Sequence, residues 1–136
     1  CFAPDRSCGY YVDTEVGNIM RQPLAPDDGW PEGAPEVFLD LSAEEFGVDG
    51  AVVDRLGNLW NAQWGAGRVV CYGPDGSVGA TISLPTPQTT CPAFGGADLS
   101  TLFITSAADG IQEDPAGATF MSKPGATGQA EHPVQL

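Results

Sequence analysis

Residues Asp49–Val78, DGAVVDRLGNLWNAQWGAGRVVCYGPDGSV, decide the fold of this chain. Three short apolar runs, AVVD, LWNAQW and RVVCY, are separated by the turns LGN and GAG, and a PDGS turn leads into a fourth run, ATISL. Runs of four to seven residues rich in Val, Ile and aromatics, bounded by Gly, Asn and Asp, predict strands joined by hairpins. No segment of the chain sustains a helical period. The stretch reads as one four-stranded blade of a β-propeller.

The same pattern recurs on either side of it. Setting second strands in register aligns Tyr10–Thr14 (YYVDT), Leu59–Gln63 (LWNAQ) and Leu102–Ser106 (LFITS), and makes Tyr11, Trp60 and Phe103 equivalent. These aromatics are 49 and 43 residues apart, near the ~40–50 of propeller blades and beyond the ~20–35 of most helical or leucine-rich repeats. A turn precedes each second strand (APDRSCG, DRLGN, GGADLST) and a third strand follows it (NIMRQPL, RVVCY, ATFMSK). The expected organisation is all-β: a single partial propeller domain over 1–136, with blade-like units at about 1–45, 46–88 and 89–136. Ring closure takes about four to eight blades and protects the sheet edges, so three blades read as a half-propeller. The start at Cys1, two residues before the turn Pro4–Ser7, fits the same expectation.

Three stretches in this order, CFAPDRSCGYYVDT, VDGAVVDRLGNLWNAQWGAGRVVCYGPDG and LPTPQTTCPAFGGADLSTLFITSA, resemble the C-terminal half of the regucalcin and gluconolactonase family. The resemblance covers nearly the whole chain. It implies a six-bladed propeller that binds one divalent cation at the mouth of its channel and hydrolyses sugar lactones. In that family a Glu near the N-terminus, two Asn in mid-chain and an Asp in a D-G motif form the site. The motif falls here at Asp49-Gly50, with Val48 where the family usually has Pro. The second Asn would lie just upstream of Cys1, and the Glu and first Asn further upstream. The missing half is expected from an N-terminal segment, or from a second copy that closes the ring as a homodimer and covers all edges; the alternative to a lactonase is a non-catalytic half-propeller that dimerises and at most binds a divalent cation.

Composition fits a globular β domain: 42% of residues are hydrophobic, with 18 Gly and 12 Pro. No apolar run is long enough to span a bilayer and no signal peptide is visible, so a cytoplasmic setting is expected. Five Lys plus Arg against 18 Asp plus Glu give a net charge of −13. That balance excludes nucleic acid, whose phosphates need clustered cations, and disfavours anionic membranes. The acidic pairs Glu44-Glu45, Asp27-Asp28 and Glu113-Asp114 lack calcium-loop spacing and read as solvating surface. Cys1, Cys8, Cys71 and Cys91 have no C-x-x-C spacing, which argues against a thiolate zinc site. Cys71 and Cys91 read as small buried hydrophobes, and a reducing compartment would keep Cys1 and Cys8 as thiols. His132, the only histidine, reads as a surface residue.

Asp49 carries the chemistry. A D-G pair ahead of a strand is by itself a turn signal, because Gly tolerates positive φ and Asp bonds its own backbone; the surrounding motif adds the functional reading. A hard divalent cation (Ca²⁺ first, with Mg²⁺, Mn²⁺ or Zn²⁺ as alternatives) prefers carboxylate and amide oxygens. Beside a lactone it can polarise the ring carbonyl, with Asp49 as metal ligand and general base. Blade geometry places the innermost strand of each unit at the channel, which makes Thr89, Thr90 and Cys91 candidate substrate contacts. Asn61, Gln63 and Asp13, on second strands, read as structural bonding residues, and Trp60 and Trp64 as inter-blade core. Pro23–Pro35 reads as a surface loop anchored by Trp30, and Ala107–Gly117 as an insertion over one mouth of the channel.

Overall fold

The computed structural model describes residues 1–112 and 114–130. Among them every regular element is a strand. The first sheet has three strands, β1 (Cys8–Asp13), β2 (Asn18–Pro23) and β3 (Glu36–Asp40). The second has four, β4 (Gly47–Val53), β5 (Leu59–Trp64), β6 (Arg68–Tyr72) and β7 (Val78–Ser83). The third runs β8 (Thr89–Gly95), β9 (Thr101–Ser106) and β10 (Thr119–Ser122), again antiparallel in chain order. The LGN, GAG and PDGS turns fall between the strands of the second sheet as their residues require: Gly57, Gly65, Gly67 and Gly76 all have positive φ. No helix of the described residues is long and apolar enough to cross a membrane. Glu113 and His132 lie outside the described residues.

Two apolar clusters join the three sheets. Tyr10 and Ile19 of the first sheet meet Val48, Val53, Leu59 and Val70 of the second. On the second sheet's other face, Trp60, Ala62, Val69 and Cys71 meet Leu102 and Ile104 of the third. Alternation along β5 explains the split: Leu59 and Trp60 point to opposite faces of one sheet, and both are buried because a sheet covers each face. Trp60 stacks edge-on against Phe94, with centroids 5.9 Å apart. The segment after β10 returns across the blades. Arg55 N–H donates to Thr127 O at 3.0 Å, Gly128 N–H to Leu99 O at 2.9 Å, and Gln129 Nε2 to Phe2 O at 2.7 Å.

The repeat register needs one correction. Tyr10 is buried in the cluster against the second sheet, whereas Tyr11 is 50% exposed on the opposite face. The equivalent of Trp60 is therefore Tyr10, not Tyr11, while Phe103 keeps its place. The turn is one residue longer in the first unit, where Ala3 N–H donates to Cys8 O, than in the second, where Asp54 N–H donates to Asn58 O, which brings Tyr10, seven residues past Ala3, to the place of Trp60, six past Asp54. With a side-chain period of two, a slip of one residue exchanges the faces. Trp30 also differs from expectation. It is 71% exposed, and the Pro23–Pro35 loop is held by its backbone, through Ala25 N–H to Trp30 O and Glu32 N–H to Pro23 O.

Asp-x-Ser turns recur at Asp5, Asp40, Asp75 and Asp98. Each aspartate accepts from the amide and the hydroxyl of the serine two residues on, which holds its carboxyl below the ordinary range. The middle residue of the first is Arg6, at φ 62°. A side chain in this region costs about 1 kcal/mol or more. Arg6→Gly is expected to raise stability by about 0.5–1 kcal/mol, checked by thermal denaturation.

Candidate functional site

Asp49 lies inside β4, not in a turn before it. The ladder to β5 shifts register between Val48, which pairs with Gln63, and Ala51, which pairs with Asn61. Asp49 and Gly50 together face the single residue Ala62, which makes a β-bulge of the kind that re-aims a side chain. The third sheet repeats it. The β8 ladder shifts between Thr89, opposite Ser106, and Cys91, opposite Thr105. Since Ala62 and Thr105 occupy equivalent places, Asp49-Gly50 and Thr90-Cys91 are matching bulges on adjacent strands.

The two bulges touch at Gly50. A Cβ on this residue would sit 2.6 Å from Cys91 Sγ and 2.7 Å from the Thr90 carbonyl oxygen. Gly50 is absent from the positive-φ residues, so close approach of two strands, and not a left-handed turn, explains the glycine. Gly50→Ala is expected to destabilise by about 1–3 kcal/mol through overpacking. Adding Cys91→Ala should recover only part of the loss, because the Thr90 backbone still clashes; denaturant titration of the three proteins checks this.

The Asp49 carboxylate is half-buried. Gly50 N–H donates to Oδ1 at 2.9 Å, which leaves Oδ2 for an incoming group. Burial pushes its carboxyl above the usual aspartate range, against the opposing pull of the Gly50 amide. Asn61, fully buried on β5, donates from Nδ2 to the Asp49 carbonyl at 2.8 Å and to the Gly50 carbonyl at 3.3 Å. Its Oδ1 has no partner. A cleft beside the bulge is lined by Asp49, Ala51, Asn61, Tyr11 and Val12.

The other candidates divide. Thr89 is fully buried and its hydroxyl has no partner. Thr90 Oγ1 lies 2.6 Å from Thr105 Oγ1, which in turn donates to the Cys91 carbonyl at 3.2 Å. Cys91 sits on the β8 bulge beside Gly50 and is exposed, contrary to its reading as a buried hydrophobe. Its thiol, packed on Gly50, is nevertheless pushed up by burial and then by the charge of Asp49. It therefore stays protonated at neutral pH and offers no thiolate. Cys71 is buried as expected, its thiol pushed up to about 11 by burial and by Asp54.

Asp13 bonds only locally, accepting from Glu15 N–H at 3.1 Å. Gln63 donates to Tyr72 Oη at 2.9 Å and accepts from Arg68 Nε. The Ala107–Gly117 loop is held by Gln88, whose amide exchanges two 2.8 Å hydrogen bonds with the Asp109 backbone. Asp54, read from the sequence only as part of a turn, is 1% exposed. Its carboxylate accepts from the amides of Leu56 and Asn58, from Asn58 Nδ2 and from Trp60 Nε1, all at 2.9–3.0 Å. An Asp four residues before an Asn across an L-G turn was the available signal.

The donor set suits a hard cation only in part. Asp49 supplies one anionic oxygen, while no group of three His, Cys, Asp or Glu side chains converges among the described residues.

The family described as SMP-30/Gluconolactonase/LRE-like region matches residues 1–108. A putative sugar lactone lactonase of Rhizobium meliloti is 44% identical over 126 residues, covering 88% of this chain and 43% of that protein. The L-arabinolactonase of Azospirillum brasilense is 37% identical over 135 residues, covering 95% and 44%. The crystal structure of a calcium-binding protein, regucalcin, from Agrobacterium tumefaciens superposes with a TM-score of 0.93 at 44% identity, over 100% of this chain and 48% of that one. The chain thus spans about half the length of the relatives it matches. With matched family residues running through all three sheets and a solved relative that superposes along the whole chain, this protein belongs to the SMP-30/gluconolactonase/LRE-like family.

Proposed function

We propose that this chain supplies the Asp49-bearing part of a propeller that hydrolyses a sugar lactone to the aldonic acid with the help of one divalent cation. The reading rests on Asp49, a half-buried carboxylate with a free oxygen, set by a bulge on an inner strand. Relatives named lactonases support the reaction class, and the solved relative named calcium-binding favours Ca²⁺ over Zn²⁺, Mn²⁺ or Mg²⁺. Asp49 would hold the ion as one ligand, the others coming from outside the described residues. When bound, such an ion supplies polarisation of the lactone carbonyl and a more acidic water.

Asp49 accepts the proton of the attacking water, for which it needs only hydrogen-bond reach. The water oxygen bonds to the carbonyl carbon, the ring C–O bond breaks, and the ring oxygen leaves as a hydroxyl of the open acid. The Thr90–Thr105 hydroxyl pair and Cys91, on the neighbouring bulge, are the substrate contacts in this reading, while Thr89, fully buried, is out of a substrate's reach. The net charge of −13 favours a small ligand over nucleic acid or an anionic membrane.

The raised carboxyl has a signed consequence. The base works ionised, so kcat/KM is expected to fall on acidification as Asp49 takes up a proton. For stability the sign is opposite. The folded state holds the Asp49 proton more tightly than the unfolded chain, so this residue's contribution falls as pH rises through the folded value. Asp49→Asn should therefore raise Tm at neutral pH while abolishing turnover. A pH–rate profile and melting curves at pH 4 and 7 check both.

A second copy is the partner that the end sheets favour for completing the ring. The uncovered face of the first sheet carries the row Tyr11–Met20–Val37, and that of the third the row Ala93–Phe103–Met121. Tyr11, Val37 and Met121 are 50%, 51% and 73% exposed. Covering such faces favours association. Light scattering is expected to give twice the mass of the chain, and a monomer at high concentration would leave an N-terminal half as the partner. Lactone turnover by the same samples, with chelator and with each metal restored, tests the activity.

A further inference from the structure

We infer that Asn61 is the positioning residue for Asp49: its side-chain amide clamps both carbonyls of the Asp49–Gly50 bulge and so fixes where the carboxylate points. This deepens the reading of Asp49 as ligand and base, and rests on it.

The bulge interrupts the ladder between Val48 and Ala51, so the Asp49 and Gly50 carbonyls meet a side chain in place of a strand partner. Asn61 Nδ2 reaches them at 2.8 and 3.3 Å. The matching bulge on β8 is held differently: Ile104 stands at the place of Asn61, and the Thr105 hydroxyl donates to the Cys91 carbonyl. In the first sheet the same place is taken by Tyr11. The site on the second strand thus accepts an apolar or aromatic residue when no carboxylate must be aimed. At Asn61 an amide is buried at 0% exposure with Oδ1 unpartnered, an arrangement that burial alone disfavours. A locally unfavourable residue beside the candidate catalytic carboxylate is the pattern expected where position is worth more than stability.

The test compares the full chain with Asn61→Ile, which copies the residue of the matching bulge, and Asn61→Leu, which matches the size of Asn without its donor. Backbone ¹³C′ and ¹⁵N resonances are followed, Ca²⁺ alone is titrated by calorimetry, and lactone kinetics are measured. The expected result is that the Asp49 and Gly50 carbonyl signals and the Gly50 amide move while those of Val53 and Leu59 stay. Ca²⁺ affinity should weaken about 10–100-fold, and kcat should fall by a similar factor with KM within about twofold. The inference is overturned if the bulge signals stay in place, or if signals throughout β4 and β5 move as much as those of the bulge. Asp49→Ala separates the two claims: undiminished turnover and Ca²⁺ affinity in that variant would refute the functional reading, while the Asn61 variants would still report on the clamp through the carbonyl shifts.

Discussion

On the proposed reading, Asp49→Ala is expected to lower metal-dependent lactone turnover by about 10³-fold or more, since it would remove a cation ligand and the general base in one change. The variant should fold, because the carboxylate makes its hydrogen bond to the amide next to it and supports no distant element. Its Cβ remains, so the close approach of β4 and β8 at Gly50 is untouched. Measured on samples of known mass, turnover that needs both Asp49 and metal establishes the proposed chemistry. Equal turnover in the variant and the parent protein would remove Asp49 from the mechanism.

Asp54→Ala should have the largest effect on stability. It strips the acceptor from two backbone amides, the Asn58 side chain and the Trp60 indole at once, of which the indole bond is buried and the others partly so. Buried donors left without acceptors cost about 1–3 kcal/mol each, with some relief from rearrangement. A total of about 3–5 kcal/mol is a large share of the ~5–15 kcal/mol that a domain has. Because Trp60 stacks on Phe94, the damage should pass from the β4–β5 turn to the contact between second and third sheets. Asp54→Asn, which keeps one acceptor oxygen, should lose less; denaturant unfolding of both variants gives the comparison. A loss below about 1 kcal/mol in Asp54→Ala would show that the turn closes without its carboxylate.

The strands were legible because the chain writes its turns in glycine and aspartate and its strands in Val, Ile and aromatics between them. Ala51–Val78 folds as it reads, and Phe103 sits where alignment with Trp60 places it. Tyr11 does not: counted from its own turn, Tyr10 takes the place of Trp60, and an alignment of strand motifs alone does not see turn length, while a slip of one residue exchanges the faces. Trp30 is large and apolar, which suggested an anchor, but a loop closed by its own amides needs none. Cys91 looked like core by composition, whereas it sits on the β8 bulge beside Gly50 and stays exposed. The candidate site was legible only as a D-G pair within a family pattern. Local chemistry assigned Gly50 to a turn, while its role is set by Cys91 and Thr90, some forty residues further along the chain. The Asn61 clamp arises from a register shift, and no spacing rule signals one.

The rows Tyr11–Met20–Val37 and Ala93–Phe103–Met121 lie on opposite ends of the chain's three-sheet stack, and they differ from each other. In the proposed self-association, contact between them would be head-to-tail, so geometry decides what assembles. If the curvature of the stack brings the ends of two copies together twice, a closed particle results and growth stops. If the curvature falls short, each copy added leaves a fresh end, and the same contact produces open filaments. Mutations that alter the angle between sheets, Gly50→Ala among them, would then change solubility without touching an exposed residue.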